Sequence, residues 1–200
     1  MTKRGKMGTP GRSAIIACAG LLACGLGTAQ AATVALNANS WEGFDVDPIS
    51  ASDGSLSWIN VDDGSLTTFT LTTSVAGVLK VLDLGNAGDT FNVNVTGPGG
   101  TQNLTTSAVS ATSTSTASLN QIDQALANPD FSRGFFDLGP GTYTITGSLL
   151  QSALLGGEPL NATPGALEFT PVPLPAALPL LLSGLLGFGA VRRRRAANTL

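Results

Sequence analysis

From Phe91 to Thr96 apolar and polar residues alternate without a break, and Gly97-Pro98-Gly99-Gly100 closes the segment. A period of two sends one face of an extended strand into a core and the other into water, and a run of turn-forming residues ends it. The same pattern returns at Tyr143-Thr144-Ile145-Thr146, after Gly139-Pro140-Gly141. Leu56–Val61 and Leu66–Thr72 flank Asp62-Asp63-Gly64, whose Asp-Gly pair suits a tight hairpin with positive φ. Val78–Leu84 is another apolar run, ended by Gly85-Asn86. Short strands at this spacing predict a mainly β domain, a β-sandwich or jelly-roll-like fold. One short helix is expected over a sheet end: Ser118 caps, Gln121 completes a capping box, Leu119, Ile122 and Leu126 share a face, and Asn128-Pro129 stops it.

Both ends of the chain read differently. Lys3, Arg4, Lys6 and Arg12 precede an apolar segment from Ser13 to Leu26, followed by Ala29-Gln30-Ala31. That is the layout of a secretory signal peptide over residues 1–31, with small residues Ala29 and Ala31 placing cleavage before Ala32. Leu21-Leu22-Ala23-Cys24 is a competing, lipoprotein-like box in which Cys24 is lipidated. At the other end, no residue from Leu174 to Val191 is charged, and a helix of that length rises roughly 27 Å, about one hydrocarbon core. Arg192, Arg193, Arg194 and Arg195 then form a stop-transfer cluster that the positive-inside rule keeps cytoplasmic, with residues 196–200 as a short cytoplasmic tail. Pro171, Pro173 and Pro175 lack amide donors, so the chain entering this helix is expected to be extended.

A short proline motif, one apolar helix and an arginine cluster in that order resemble the PEP-CTERM class of bacterial sorting signals, in its VPLPA-CTERM variant. The matching residues are Val172, Pro173, Leu174, Pro175 and Ala176, then Leu178 to Val191, then Arg192 to Arg195. The better-known motif has Pro-Glu-Pro where this chain has Pro173-Leu174-Pro175. The resemblance implies an exosortase substrate, cut near residues 172–176 by a membrane-embedded cysteine transpeptidase of Gram-negative bacteria. It further implies a protein held in the inner membrane before processing, then delivered to the cell surface or an exopolysaccharide or biofilm matrix. A permanently anchored single-pass inner-membrane protein is the alternative. A sortase signal does not fit, since Leu174-Pro175-Ala176-Ala177-Leu178 offers neither the Thr nor the Gly of Leu-Pro-x-Thr-Gly.

Between the two end segments the chain has neither Cys nor His. Disulfides, zinc sites and the usual nucleophile–base pairs are therefore excluded, and no catalytic activity is expected. Of the ten basic residues only Lys80 and Arg133 fall in this part, against 13 Asp and Glu, a net charge of −11. Nucleic acid, which needs a basic footprint, is excluded as a partner. Oxygen donors at Asp45, Asp47, Asp62 and Asp63, with Asp53 between them, are candidate Ca²⁺ ligands, although no EF-hand spacing occurs. Turn-forming and solubilising roles explain the same residues. A carbohydrate- or calcium-binding surface module thus stands beside the matrix reading. Trp58, alternating with Leu56, is expected in the core, and Trp41, near Phe44, is expected to pack the first strand onto the sandwich. Thr101–Ser118, rich in Ser and Thr, reads as a polar loop, an edge strand or a glycosylated segment. The sandwich is assigned to residues 32–155, and 156–171, with Pro159, Pro164 and Pro171, to a stalk ahead of the sorting signal at 172–195.

Overall fold

The computed structural model describes residues 31–172. Ala29, Pro173–Ala176, the apolar segment to Val191, Arg192–Arg195 and the tail at 196–200 lie outside the described residues. Among the described residues no helix is long and apolar enough to cross a membrane.

In chain order the strands are β1 (Ala32–Ala35), β2 (Trp41–Val46), β3 (Thr67–Thr73), β4 (Gly77–Asp83), β5 (Gly85–Asn86), β6 (Thr90–Gly97), β7 (Gly100–Thr105) and β8 (Thr116–Ala117). A 3₁₀ turn, Leu119–Gln121, runs into helix α1 (Ile122–Ala127). Strands β9 (Arg133–Leu138), β10 (Gly141–Gln151), β11 (Leu154–Leu155), β12 (Glu158–Pro159) and β13 (Thr163–Pro171) complete the chain. They form a five-stranded sheet, β1-β3-β10-β6-β7, and a four-stranded sheet, β2-β13-β4-β9. All of these pairings are antiparallel except β1 with β3. Among the long strands only the β6–β7 hairpin stays within one sheet; the other connections cross from sheet to sheet.

The two sheets share one core. Phe69, Val93 and Ile145 from the larger sheet meet Phe44, Leu79, Leu167 and Phe169 from the smaller. Trp58 stacks on Phe44 with ring centroids 4.0 Å apart, and Phe91 meets the Phe44 ring edge-on at 5.2 Å. Glycine makes room for both rings: a Cβ at Gly147 would fall 2.2 Å from Trp58, and one at Gly165 would fall 2.2 Å from Phe44. The alternation at Phe91–Thr96 and Tyr143–Thr146 is thus realised as β6 and β10, with odd positions inward.

A second apolar layer lies on the outer face of the four-stranded sheet, where Leu82 and Ala166 pack with Leu84, Ala117, Ala125 and Phe131, flanked by Trp41, Ile122 and Leu126. The helix therefore covers a sheet face, not a sheet end. The Ser118 N–H donates to the Gln121 side-chain carbonyl at 3.1 Å, the backward half of the expected capping box. Trp41 belongs to this outer layer. It lies an odd number of positions from Phe44, so the strand pleat sends the two rings to opposite faces.

Two other expectations are corrected and a third is narrowed. Residues 156–171 are not a stalk. Residues 163–171 are β13, paired with β2 on one side and β4 on the other, and Leu167 and Phe169 are fully buried. The domain accordingly runs to Pro171 and not to residue 155. Its prolines misled because Pro164 stands second in the strand and Pro171 last, where lost amides cost least. Leu56–Val61 is not a continuous strand: it makes isolated bridges from Ser57 to Ser148 and from Ile59 to Asp45 and Leu66, tying the open side of the sandwich together. Gly64 does adopt φ 68°, as the Asp-Gly turn requires. Finally, the Thr101–Ser118 segment begins as an edge strand, since Thr101–Thr105 belong to β7.

Candidate functional site

The acidic turns use their carboxylates locally. Asp47 accepts hydrogen bonds from the Ile49 N–H at 2.9 Å and the Ser50 hydroxyl at 2.5 Å. The Ser50 hydroxyl first, then the Ile49 N–H, holds its carboxyl below the ordinary range. Asp63 does the same with Ser65, accepting from its hydroxyl at 2.6 Å and its N–H at 2.9 Å. Asp53 accepts the Ser55 N–H at 2.9 Å. At Asp62 it is the backbone N–H that is used, donated to the Asn60 side chain at 2.7 Å. Asp45 is half-buried in β2 and raised by that burial, against a hydrogen bond from the Val46 N–H. Among the described residues no three acidic side chains converge as a metal cage would require.

A different pair is far less ordinary. Asp83 ends β4 and Asp89 immediately precedes β6, and their fractional exposures are 0% and 1%. Asp83 Oδ2 accepts the Gly88 N–H at 3.2 Å and Asp89 Oδ1 accepts the Ala153 N–H at 2.8 Å. Asp83 Oδ1 and Asp89 Oδ2 have no hydrogen-bond partner. Burial first, and the neighbouring charge of Asp89 second, push the Asp83 carboxyl up to about 9. Burial also raises Asp89, offset in part by the hydrogen bond from the Ala153 N–H. The sequence held one signal for this pair: Asp83 interrupts an otherwise apolar Leu82-Asp83-Leu84 where the strand is leaving its sheet.

The two cations of the domain are committed elsewhere. Lys80 Nζ lies 2.8 Å from Glu168, its cross-strand neighbour, and 5.9 Å from the centroid of Trp41. The Arg133 guanidinium donates to the carbonyls of Leu126 and Asn128 at the end of α1. Most of the acidic surface is therefore left without an internal counter-ion.

The outward face of the five-stranded sheet contrasts with that surface. Thr68, Thr70 and Thr72 on β3, Thr142, Thr144 and Thr146 on β10, Asn92, Asn94 and Thr96 on β6, and Thr101, Asn103 and Thr105 on β7 carry no charge at all. Register aligns them in cross-strand rows, such as Thr70–Thr144–Thr96–Thr101. Hydroxyls meet across strands at 2.9 Å for Thr96 and Thr101, and at 3.2 Å for Thr72 and Thr142. Where Thr68, Asn94, Thr146 and Ser148 approach Ser57 and Ala31, the face dips into a pocket of about 260 Å³.

Of the end-segment residues that are described, Ala32 opens β1 and its N–H donates to the Leu66 carbonyl at 2.7 Å. Val172 follows β13 directly, with its N–H on the Ala76 carbonyl at 2.9 Å and its side chain half exposed.

No protein-family description matches the chain, and no curated protein matches it. Among solved structures it is similar to the pre-peptidase C-terminal domain of collagenase from Bacillus anthracis, at 10% identity and a TM-score of 0.40, over 70% of this chain and 97% of that one.

Proposed function

We propose that this is an exported, non-catalytic cell-envelope or extracellular-matrix protein, a jelly-roll-like sandwich sorted through its C-terminal segment by an exosortase-like transpeptidase. The observation that supports the reading is that the described strands all lie between the two expected processing points. Among the described residues the first strand opens at Ala32, the residue after the expected signal-peptide cleavage, and the last ends at Pro171, the residue before Val172. Cuts at both expected processing points would leave every described strand intact. In this reading Pro173 and Pro175 keep the scissile backbone extended, the apolar segment to Val191 docks it in the membrane, and Arg192–Arg195 fix its depth. Mass spectrometry of the C-terminal peptide, on protein recovered from native envelope and medium, tests it. A terminus within 172–176 is expected; an intact Arg192–Leu200 tail in every fraction would mean a permanent inner-membrane anchor.

The uncharged Thr/Asn face favours a narrower role for the domain, contact with neutral exopolysaccharide. Hydroxyls and amides both donate and accept, and here they do so without a repelling charge. Co-sedimentation of the chain with neutral and anionic polysaccharides checks this. Binding to neither removes the support.

A further inference from the structure

We propose that Asp83 and Asp89 form a Ca²⁺ site that clasps the crossover between the two sheets. The inference does not rest on the sorting reading.

Two carboxylates at nine-tenths burial or more, each with one oxygen that no protein group satisfies, are an unstable arrangement as they stand. A buried anion stays charged only beside a cation, and an unpaired one takes up a proton instead. Lys80 and Arg133 are the only basic side chains in the domain, and both are bonded elsewhere. Without a proton on one of them, the counter-charge for this pair has to come from outside the chain. Asp83 and Asp89 offer hard oxygens only, and the domain has no Cys or His to favour a transition metal. Two negative charges match one divalent ion, and carbonyls and water complete the shell of such a cation.

The position gives the site a purpose. Asp83 closes β4 in the smaller sheet, Asp89 directly precedes β6 in the larger, and only residues 84–88 separate them. Asp89 also holds Ala153, just after β10, while the buried Thr163 hydroxyl at the start of β13 bonds the Leu84 carbonyl at 3.1 Å. A cation between the two carboxylates would pin both sheets at one corner. A domain without disulfides gains a cross-link there.

The test uses the full chain in detergent micelles, stripped with EDTA and titrated with CaCl₂ and, separately, MgCl₂ in a calorimeter, with thermal unfolding followed in parallel. One Ca²⁺ per chain and a saturable rise in Tm are expected, with Ca²⁺ preferred to Mg²⁺. Asp83→Asn and Asp89→Asn should each weaken Ca²⁺ binding by roughly tenfold or more. Both variants should fold, since an amide relieves the repulsion. Asp62→Asn, in an exposed turn, should bind as the parent does. Absence of Ca²⁺ binding by the parent overturns the proposal whatever the variants do. Binding that survives Asp83→Asn and Asp89→Asn but is lost in Asp62→Asn overturns it in favour of the turn acids.

Discussion

Ending the chain at residue 155 separates the two views of its C-terminal part most sharply. If 156–171 were a stalk, a chain of residues 32–155 would fold as well as one of residues 32–171. The structure requires the opposite. Removing β13 takes Leu167 and Phe169 out of the core, each worth about 2–3 kcal/mol of burial. It also separates β2 from β4, which are each hydrogen-bonded to β13 and not to one another, along pairings that span Thr163–Glu168 on one side and Gly165–Pro171 on the other. Each buried backbone group left without a partner costs about 1–3 kcal/mol more. The sum is on the order of 10 kcal/mol, comparable to the whole stability of a domain, about 5–15 kcal/mol. Residues 32–171 should therefore unfold cooperatively in urea, with a near-ultraviolet signal from the packed Trp58. Residues 32–155 should show neither. A cooperative transition of 32–155 at the same midpoint would refute the assignment of β13 as a structural strand.

In cation-free buffer, stability should fall as pH rises from the unfolded carboxyl value near 3.8 towards about 9, because Asp83 keeps its proton in the folded state and loses it in the unfolded one. The slope is at most about 1.4 kcal/mol per pH unit, read from urea midpoints in EDTA, and Asp83→Asn should flatten it. Gly147→Ala would drive a methyl to 2.2 Å from the Trp58 ring and should cost about 1–3 kcal/mol, seen as a lowered Tm. Arg133→Met removes the guanidinium from the Leu126 and Asn128 carbonyls and should cost about 1–3 kcal/mol, with faster hydrogen exchange confined first to α1. Neutral residues in place of Arg192–Arg195 should reduce processing of the C-terminal segment, followed by the mass of the recovered chain; unchanged processing would count against the sorting role.

The sequence was most legible where one side chain after another reports the same face. Phe91–Thr96 and Tyr143–Thr146 announce β6 and β10 because one side of each strand is solvated. It was least legible in β13, where burial on both faces erases the alternation and leaves Gly165-Ala166-Leu167-Glu168-Phe169 between prolines. Glu168 looked like a solvent residue there, but it is nearly buried against Lys80, and no local pattern announces a partner so far along the chain. The candidate acids show the same limit. Asp47, Asp53 and Asp63 sit in obvious turns and serve those turns. Asp83 and Asp89 matter because of what surrounds them, and desolvation is a property of the fold, invisible in a single segment.

The position of β13 also orders events along the proposed export route. A chain that crosses the membrane N-terminus first presents β1 to β10 outside before β13 arrives. The four-stranded sheet cannot close in the interval, since β2 and β4 have no common edge until residues 163–171 lie between them. Its apolar inner face, with Phe44, Leu79 and Val81, stays exposed until then, a state prone to misassembly. Completion of the fold therefore waits for the residues immediately ahead of Val172. On the proposed route, the segment carrying the motif would reach the membrane by the time β13 is in place. A cut between β10 and β13 would release a domain that lacks an interior strand, whereas a cut within 172–176 would release one with every described strand. In the proposed route, a motif directly after β13, the last described strand, would tie release to completion of the sheet.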